Sequence, residues 1–455
     1  MKWSPGFRFF MVGALAALML IPSVFVAEVI SERASYSRQT IESVGREWGG
    51  AQTLGAPRLV IPVLATVSVT KNRQKTDPVT GQLNFAAETQ EKQEPREPIV
   101  LYPEQFDLAL DLQAEERARG VFTAPVYAAD IAMGLHFDPS RATLRPNETA
   151  EWGKAVLEVA VSDARGLRGA TALLVDGTAT PLEGRSKGGD DLIYASVGDP
   201  RGNKAYNLNM VLNGAKSLFL TPAGRATTVT MDANWPDPSF GGTFLPDGSN
   251  VRDDGFDAVW TIPHLATGLP VFSRGAEGNR VAHGGFGVRL IQPNDIYQRA
   301  YRAARYNILF IAMTFLIIML MERAATRPVH PVQYVLVGVA QAIFLLLLTS
   351  YAEQIGFGPA YLLAAAATAG LLTVFGASAL RLGRRTWWLA GALAGLYGVM
   401  YAILQSADHA LLIGASLAFA AVAAMMLATR NDQWFGGETG MRLPWRKAPQ
   451  ETSEA

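Results

Sequence analysis

Six stretches of this chain carry no lysine, arginine, aspartate or glutamate over lengths close to the width of a bilayer. They run Phe9 to Ala27, Tyr306 to Met321, Pro328 to Ala352, Gln354 to Leu380, Thr386 to Ala407 and His409 to Thr429. A hydrocarbon core of about 30 Å is crossed by about 20 helical residues, so each run suffices alone or with its flanks. The run from Tyr306 is the shortest, at 16 residues, and needs Arg302 to Arg305 as a snorkelling first turn. The spacing predicts an α+β membrane protein: six transmembrane helices, with a large β-rich periplasmic domain inserted between helices 1 and 2. Helix 1 is expected at about 9–27 within an anchor of residues 1–30, the exported domain at 31–304, and a five-helix bundle at 305–430. The bundle helices are expected near 306–321, 332–351, 358–380, 387–404 and 410–428, and a cytoplasmic tail at 431–455.

Orientation follows from lysine and arginine in the short loops, because positive charge resists translocation. With the N-terminus inside, the inside segments hold Lys2 and Arg8, Arg323 and Arg327, Arg381, Arg384 and Arg385, and Arg430 with the tail, whereas the outside loops 352–358 and 405–409 hold none. Both termini are therefore expected in the cytoplasm of a cell with an inner membrane, and residues 31–304 in the periplasm. Arg299, Arg302 and Arg305 run against this rule, but a long preceding domain translocates largely regardless of charge. The first run is read as an uncleaved anchor: it is long for a signal peptide, and Phe25-Val26-Ala27 lacks a small residue three places before a cleavage point.

The exported domain has no cysteine to cross-link it, so burial alone must hold it together. Residues 28 to about 55 are amphipathic at helical period and stop at Gly49-Gly50, a continuation of the anchor helix. Beyond Arg58 the period becomes two. Leu108, Leu110 and Leu112 alternate with Asp107, Ala109 and Asp111, and similar patterns surround Leu208 to Leu212, Val229 to Met231 and Phe286 to Leu290. These are strands with one buried face, a dozen or so in number, packed as a β-sandwich or as two smaller β subdomains. Lys71 to Glu97 is polar and is expected to be a long hairpin excursion or a mobile loop.

Signals of catalysis are missing. The five histidines, His136, His264, His283, His330 and His409, form no pair at i, i+4, and neither a Gly-x-Ser-x-Gly elbow nor a phosphate loop occurs. Asp190-Asp191 and Asp253-Asp254 sit among glycines, as turn residues do. No catalytic residue, cofactor or metal site is expected, and zero net charge without a basic block excludes a nucleic-acid footprint. The densest aromatic signal outside the membrane is Asn234 to Phe240 with Phe244-Leu245-Pro246. Trp235, Pro236, Pro238, Phe240 and Phe244 are candidate partner-contact residues; the same residues also suit packing a loop onto the core. Glu353 and Asp408 are candidate polar positions at the outer helix ends. Asp163 and Arg165 suit either a ligand pair or a local turn ion pair, and Asp163-Ala164-Arg165-Gly166 is echoed 36 residues on by Asp199-Pro200-Arg201-Gly202.

Several of these motifs occur together elsewhere. Glu32-Arg33-Ala34-x-Tyr36, Asp163 to Gly166, Asn234 to Phe240 with Phe244 to Pro246, His330-Pro331-x-Gln333-Tyr334, Ser406-Ala407-Asp408 with Leu411-Leu412-x-Gly414, and Thr429-Arg430-Asn431 make the chain resemble the CreD family over nearly its whole length. The resemblance implies an inner-membrane protein linked to envelope integrity, to a two-component system that responds to envelope conditions, and to altered colicin or β-lactam sensitivity. It supplies no catalytic or ligand residue. The expected function is therefore non-catalytic, with the exported domain binding an envelope component or partner protein and the bilayer holding the rest. A transporter or lipid-handling protein working through the five-helix bundle is the alternative, and an envelope-polymer hydrolase a second one.

Overall fold

The two periods in the sequence become two kinds of structure. The computed structural model describes residues 5–76, 83–187, 190–202, 204–268, 270, 272–275, 285–292, 296–322, 329–405 and 410–430. They fall into two units, Arg38–Pro293 and Met1–Ser37 with Asn294–Ala455.

Arg38–Pro293 holds nineteen strands among the described residues, more than the dozen expected, because many are only three to five residues long. One sheet of eleven strands follows the order Pro238–Gly242, Phe286–Leu290, Ser217–Leu220, Gln52–Leu54, Val156–Val161, Arg58–Thr76, Leu83–Leu101, Phe272–Arg274, with three strands branching from that path. The other, of eight, runs Gly248–Arg252, Gly255–Pro263, Ala226–Ala233, Gln105–Arg119, Phe122–His136, Ala205–Ala215, Leu167–Val175, Thr178–Thr180. Leu108, Leu110 and Leu112 from the second sheet and Leu59, Ile61 and Val63 from the first are buried in a single core. Each such aliphatic side chain contributes about 1.5–3 kcal/mol on burial, which is how a unit without disulfides holds together. The polar stretch beginning at Lys71 is a hairpin: Arg58–Thr76 pairs with Leu83–Leu101 out to Thr76 opposite Leu83.

The membrane unit is helical. α1 (Pro5–Leu18) and α2 (Leu20–Glu47) meet at Met19, whose N–H still bonds to Leu15 O at 3.2 Å. After a one-turn α3 (His264–Thr267) in the β-rich unit come α4 (Ile296–Glu322), α5 (Pro331–Ile355), α6 (Phe357–Ser378), α7 (Thr386–Gln405) and α8 (Ala410–Thr429). Within the β-rich unit, α2 ends as the glycine pair predicts: Gly50 N–H reaches Gly45 O at 2.7 Å while Gly49 takes φ 102°. A β-carbon on Gly49 would stand 2.6 Å from Asn213 O. Gly356 alone joins α5 to α6, with φ 80° and ψ 165°, a region only glycine adopts without strain.

Two expectations are corrected. α4 begins at Ile296, ten residues before Tyr306, because its arginine-bearing first turns are helical and one guanidinium, that of Arg299, lies 5.2 Å from the Phe357 ring centroid. Five helices among the described residues, not six, are long and apolar enough to span: Gly6–Glu47, Ile296–Glu322, Pro331–Ile355, Phe357–Ser378 and Gly383–Gln405. The sixth expectation coincides with α8, some of whose side chains fall outside the described residues.

Candidate functional site

Apolar helices leave few charged side chains inside the membrane unit, and two carboxylates there are each held in a cluster. At one, Arg33 of α2 donates from Nε and Nη2 to the two carboxylate oxygens of Glu353 on α5, each at 2.9 Å, and Tyr297 Oη of α4 donates to the same carboxylate at 2.7 Å. At the other, Arg8 of α1 donates to Glu322 Oε1 at 3.2 Å, and Tyr334 Oη of α5 to Glu322 Oε2 at 3.0 Å. Each carboxylate is thus held by an arginine from the N-terminal helices and a tyrosine from the bundle. A charge taken out of water is tolerated at this depth only with such partners. Arg33 also lies 5.7 Å from the ring centroid of Tyr36. Two motifs behind the family resemblance thereby acquire physical roles. Glu32-Arg33-Ala34-x-Tyr36 supplies the first clamp. His330-Pro331-x-Gln333-Tyr334 caps α5, with His330 Nδ1 accepting from Val332 N–H, the Gln333 side chain accepting from His330 N–H at 2.9 Å, and Tyr334 entering the second clamp.

Between the clamps the helices are joined by neutral hydrogen bonds. Gln341 donates to Thr314 at 2.8 Å, Asn307 to Ser23 at 3.2 Å, and Tyr361 to the Tyr397 carbonyl at 2.6 Å. These are interhelical ties, as small polar residues in membrane bundles make. Glu353 is accordingly a clamp residue; Asp408 lies outside the described residues.

In the β-rich unit, the aromatic segment is mostly spent on packing. Trp235 is 7% exposed and its indole donates to Ile291 O at 3.0 Å. Phe240 packs edge-on against Phe256 and Trp260 at centroid distances of 5.4 and 5.9 Å, and Phe244 against Phe286 at 6.1 Å. Pro238 opens an edge strand, where its missing N–H leaves no ladder bond unmade, and Asn234, Pro236 and Leu245 are the exposed members of the segment. Asp163 and Asp199 each accept from the backbone N–H two residues on and pair with Arg165 and Arg201 in one short turn apiece, so the ion-pair reading applies to both members of the echo. The guanidinium beside each holds its carboxyl below the usual range, that of Asp199 at about 2.

The open face of the eight-stranded sheet carries a different signal. Strand pairing sets Asp257 opposite Asp232, Asp232 opposite Asp111, and Asp111 opposite Asp130. Four carboxylates therefore stand side by side across four neighbouring strands, where cross-strand Cβ atoms are about 5 Å apart. Arg252 pairs with Asp257 and reaches Asp232 at 3.9 Å, at one end of the row. Asp111 accepts from the Gln113 amide at 2.7 Å. The row crosses a shallow depression of about 570 Å³, floored by small side chains including Ala109, Ala132 and Ala170, with a second of about 280 Å³ beside Asp107, Asn207 and Asn209. The aspartates are strung out in a line, and no group of three metal-binding side chains converges among the described residues.

The model of the family described as inner membrane protein CreD matches residues 4–435. The chain belongs to the CreD family. It is 33% identical over 445 residues to the inner membrane protein CreD of Escherichia coli K12, covering 96% of this chain and 94% of that one. Solved structures resemble it only faintly. An M1 zinc metallopeptidase from Deinococcus radiodurans superposes with a TM-score of 0.21 at 10% identity, over 78% of this chain and 97% of that one. A putative protease from Parabacteroides distasonis gives 0.24 at 11% identity, over 54% and 50%. Such scores show no common fold with these proteins, and the family membership rests on sequence.

The aspartate row escapes a reading of the sequence. Each strand's alternation shows that Asp107, Asp111, Asp130, Asp232 and Asp257 point away from the core, but their alignment into one row depends on register between strands far apart in the chain. The clamps were half visible, in Arg33 and Glu353 separately.

Proposed function

We propose that this CreD-family chain is a non-catalytic inner-membrane protein that supports envelope integrity. In this reading the β-rich unit faces the periplasm and offers the open face of its eight-stranded sheet to a basic segment of a partner protein. The row Asp257, Asp232, Asp111 and Asp130 carries the proposal. Like charges directly opposite one another disfavour a sheet, and among the described residues Arg252 offsets one end of the row. Lysines or arginines laid across the strands would relieve that repulsion, and the depression that the row crosses, with the smaller one beside it, leaves room for them. Complementary charge of this kind sets encounter rate and choice of partner. The periplasmic placement is supported by the positive charges of the short loops, and the envelope role by the family resemblance.

The test is the pair Asp111→Asn with Asp130→Asn in a strain lacking the gene, scored by exclusion of a membrane-impermeant dye under envelope stress. The double variant is expected to accumulate to the normal level, because both residues are exposed, and to fail to restore dye exclusion. Full restoration at normal abundance would remove this face from the function.

A further inference from the structure

Beside the Arg33–Glu353 pair, the membrane unit has a groove of about 590 Å³ between α2 and α5. That volume is in the range of small-molecule sites. Its lining is graded along its length. Val29 and Ile30 on α2 stand with Leu346 on α5 at one end, Thr349 and Ser350 follow, and Glu32, Arg33 and Glu353 close the other end. Both helices therefore pass from aliphatic to charged side chains in the same direction, α5 by way of the two hydroxyls, and Tyr36 of α2 lies beyond the charges. The aliphatic end continues onto a flank where Val24, Phe25 and Val29 are exposed, the surface such a helix turns to acyl chains. At the charged end Glu353 is 10% exposed and held, whereas Arg33 is 44% exposed and Glu32, also lining the groove, is exposed.

A soluble metabolite has no use for an aliphatic end open to the bilayer, and a simple acyl chain has none for a charged one. We propose that the groove seats one phospholipid of the bilayer whose head carries both a phosphate and a primary amine. The phosphate lies against the Arg33 guanidinium, the amine against Glu32, the glycerol and ester oxygens near Ser350, and one chain along Val29, Ile30 and Leu346. The three charges of the mouth sum to one negative, Glu32 and Glu353 against Arg33, which favours a head bearing an amine over a purely anionic one. The inference concerns a different unit from the aspartate row and stands or falls apart from it.

The experiment is a lipid titration of the full chain, purified in detergent and delipidated, read by native mass spectrometry with phosphatidylethanolamine and phosphatidylglycerol of matched chains. One phosphatidylethanolamine per chain is expected to bind about fivefold more tightly than phosphatidylglycerol, the worth of one charge-assisted contact at a half-wet site. Ser350→Trp, which fills the middle of the groove, is expected to abolish that binding, while Leu362→Trp, at a position 69% exposed on α6, leaves it intact. Glu32→Gln, outside the Arg33–Glu353 clamp, is expected to keep phosphatidylglycerol binding and erase the preference for the amine. Equal retention of the two lipids by the unmodified chain, or binding unaffected by both Ser350→Trp and Glu32→Gln, would reduce the lipid to ordinary bilayer contact and overturn the proposal. Displacement by glycerophosphoethanolamine, which has the head and no chains, would overturn the assignment to a bilayer lipid.

Discussion

Glu353 and Asp130 are both carboxylates on regular secondary structure, yet one accepts three hydrogen bonds from an arginine and a tyrosine while the other stands beside another carboxylate in a row of four. The difference is one of solvent. Leaving a charge unpartnered among apolar helices costs several kcal/mol, so each buried carboxylate of the membrane unit sits in a prepared clamp. On a wet sheet face, two charges about 5 Å apart repel by only about 0.8 kcal/mol, less again in salt, and a fold can hold several together. Charge in the membrane unit is thus used to join helices, and charge on the sheet face is left available.

The comparison can be broken first at Glu322, which is 8% exposed between Arg8 and Tyr334. Glu322→Ala is expected to lower stability by about 3 kcal/mol, since it strands a guanidinium and a buried phenol. Glu353→Ala should remove about 2 kcal/mol, because Arg33 is nearly half exposed and water takes up part of the loss. Thermal unfolding of the detergent-purified chain measures both, and equal stability to the unmodified chain would mean that the clamps do not hold the N-terminal helices.

A second test uses alkali. Burial raises the Tyr206 phenol from 10.0 to about 12, and its hydroxyl has no hydrogen-bond partner among the described residues. The folded state keeps this proton longer than the unfolded chain, so the contribution is complete below pH 10 and is lost as pH rises through 12. Tyr206→Phe should leave stability near neutral pH within about 1 kcal/mol and flatten that alkaline limb, followed by circular dichroism. Asp199 gives the acid counterpart with the opposite sign. Its folded value of about 2 lies below its ordinary 3.8, so its contribution is present above pH 4 and fades as pH falls through 2. The smallest effect sharpens the comparison most: Asp130→Asn should stabilise the chain by a few tenths of a kcal/mol at low salt and by nothing at high salt, the reverse of any clamp substitution.

How much of this was legible depends on how local the cause is. The apolar runs, the glycine stop after α2 and the cap at His330 are written in consecutive residues, and the first five spans follow from them. The alternation of Leu108 to Leu112 showed which face of its strand is buried. The start of α4 was read too late: Arg302 to Arg305 was expected to supply its first turn, whereas the helix continues back to Ile296 and brings Tyr297, nine residues before Tyr306, to Glu353. The aromatic segment offered two uses, and the choice between them hung on what Trp235 and Phe240 meet across a sheet. The row of aspartates and the graded groove are properties of neighbours far apart in the chain, joined only by register and helix packing.

The single glycine between α5 and α6 bears on how such a protein is made. A joint of one residue cannot reach across a bilayer, so neither helix can be left inserted without the other. α5 and α6, which also pack on each other, must enter the membrane as one hairpin. Glu353 lies three residues before that bend, so the carboxylate travels with the hairpin, its charge without this partner until the N-terminal helix brings Arg33 to it.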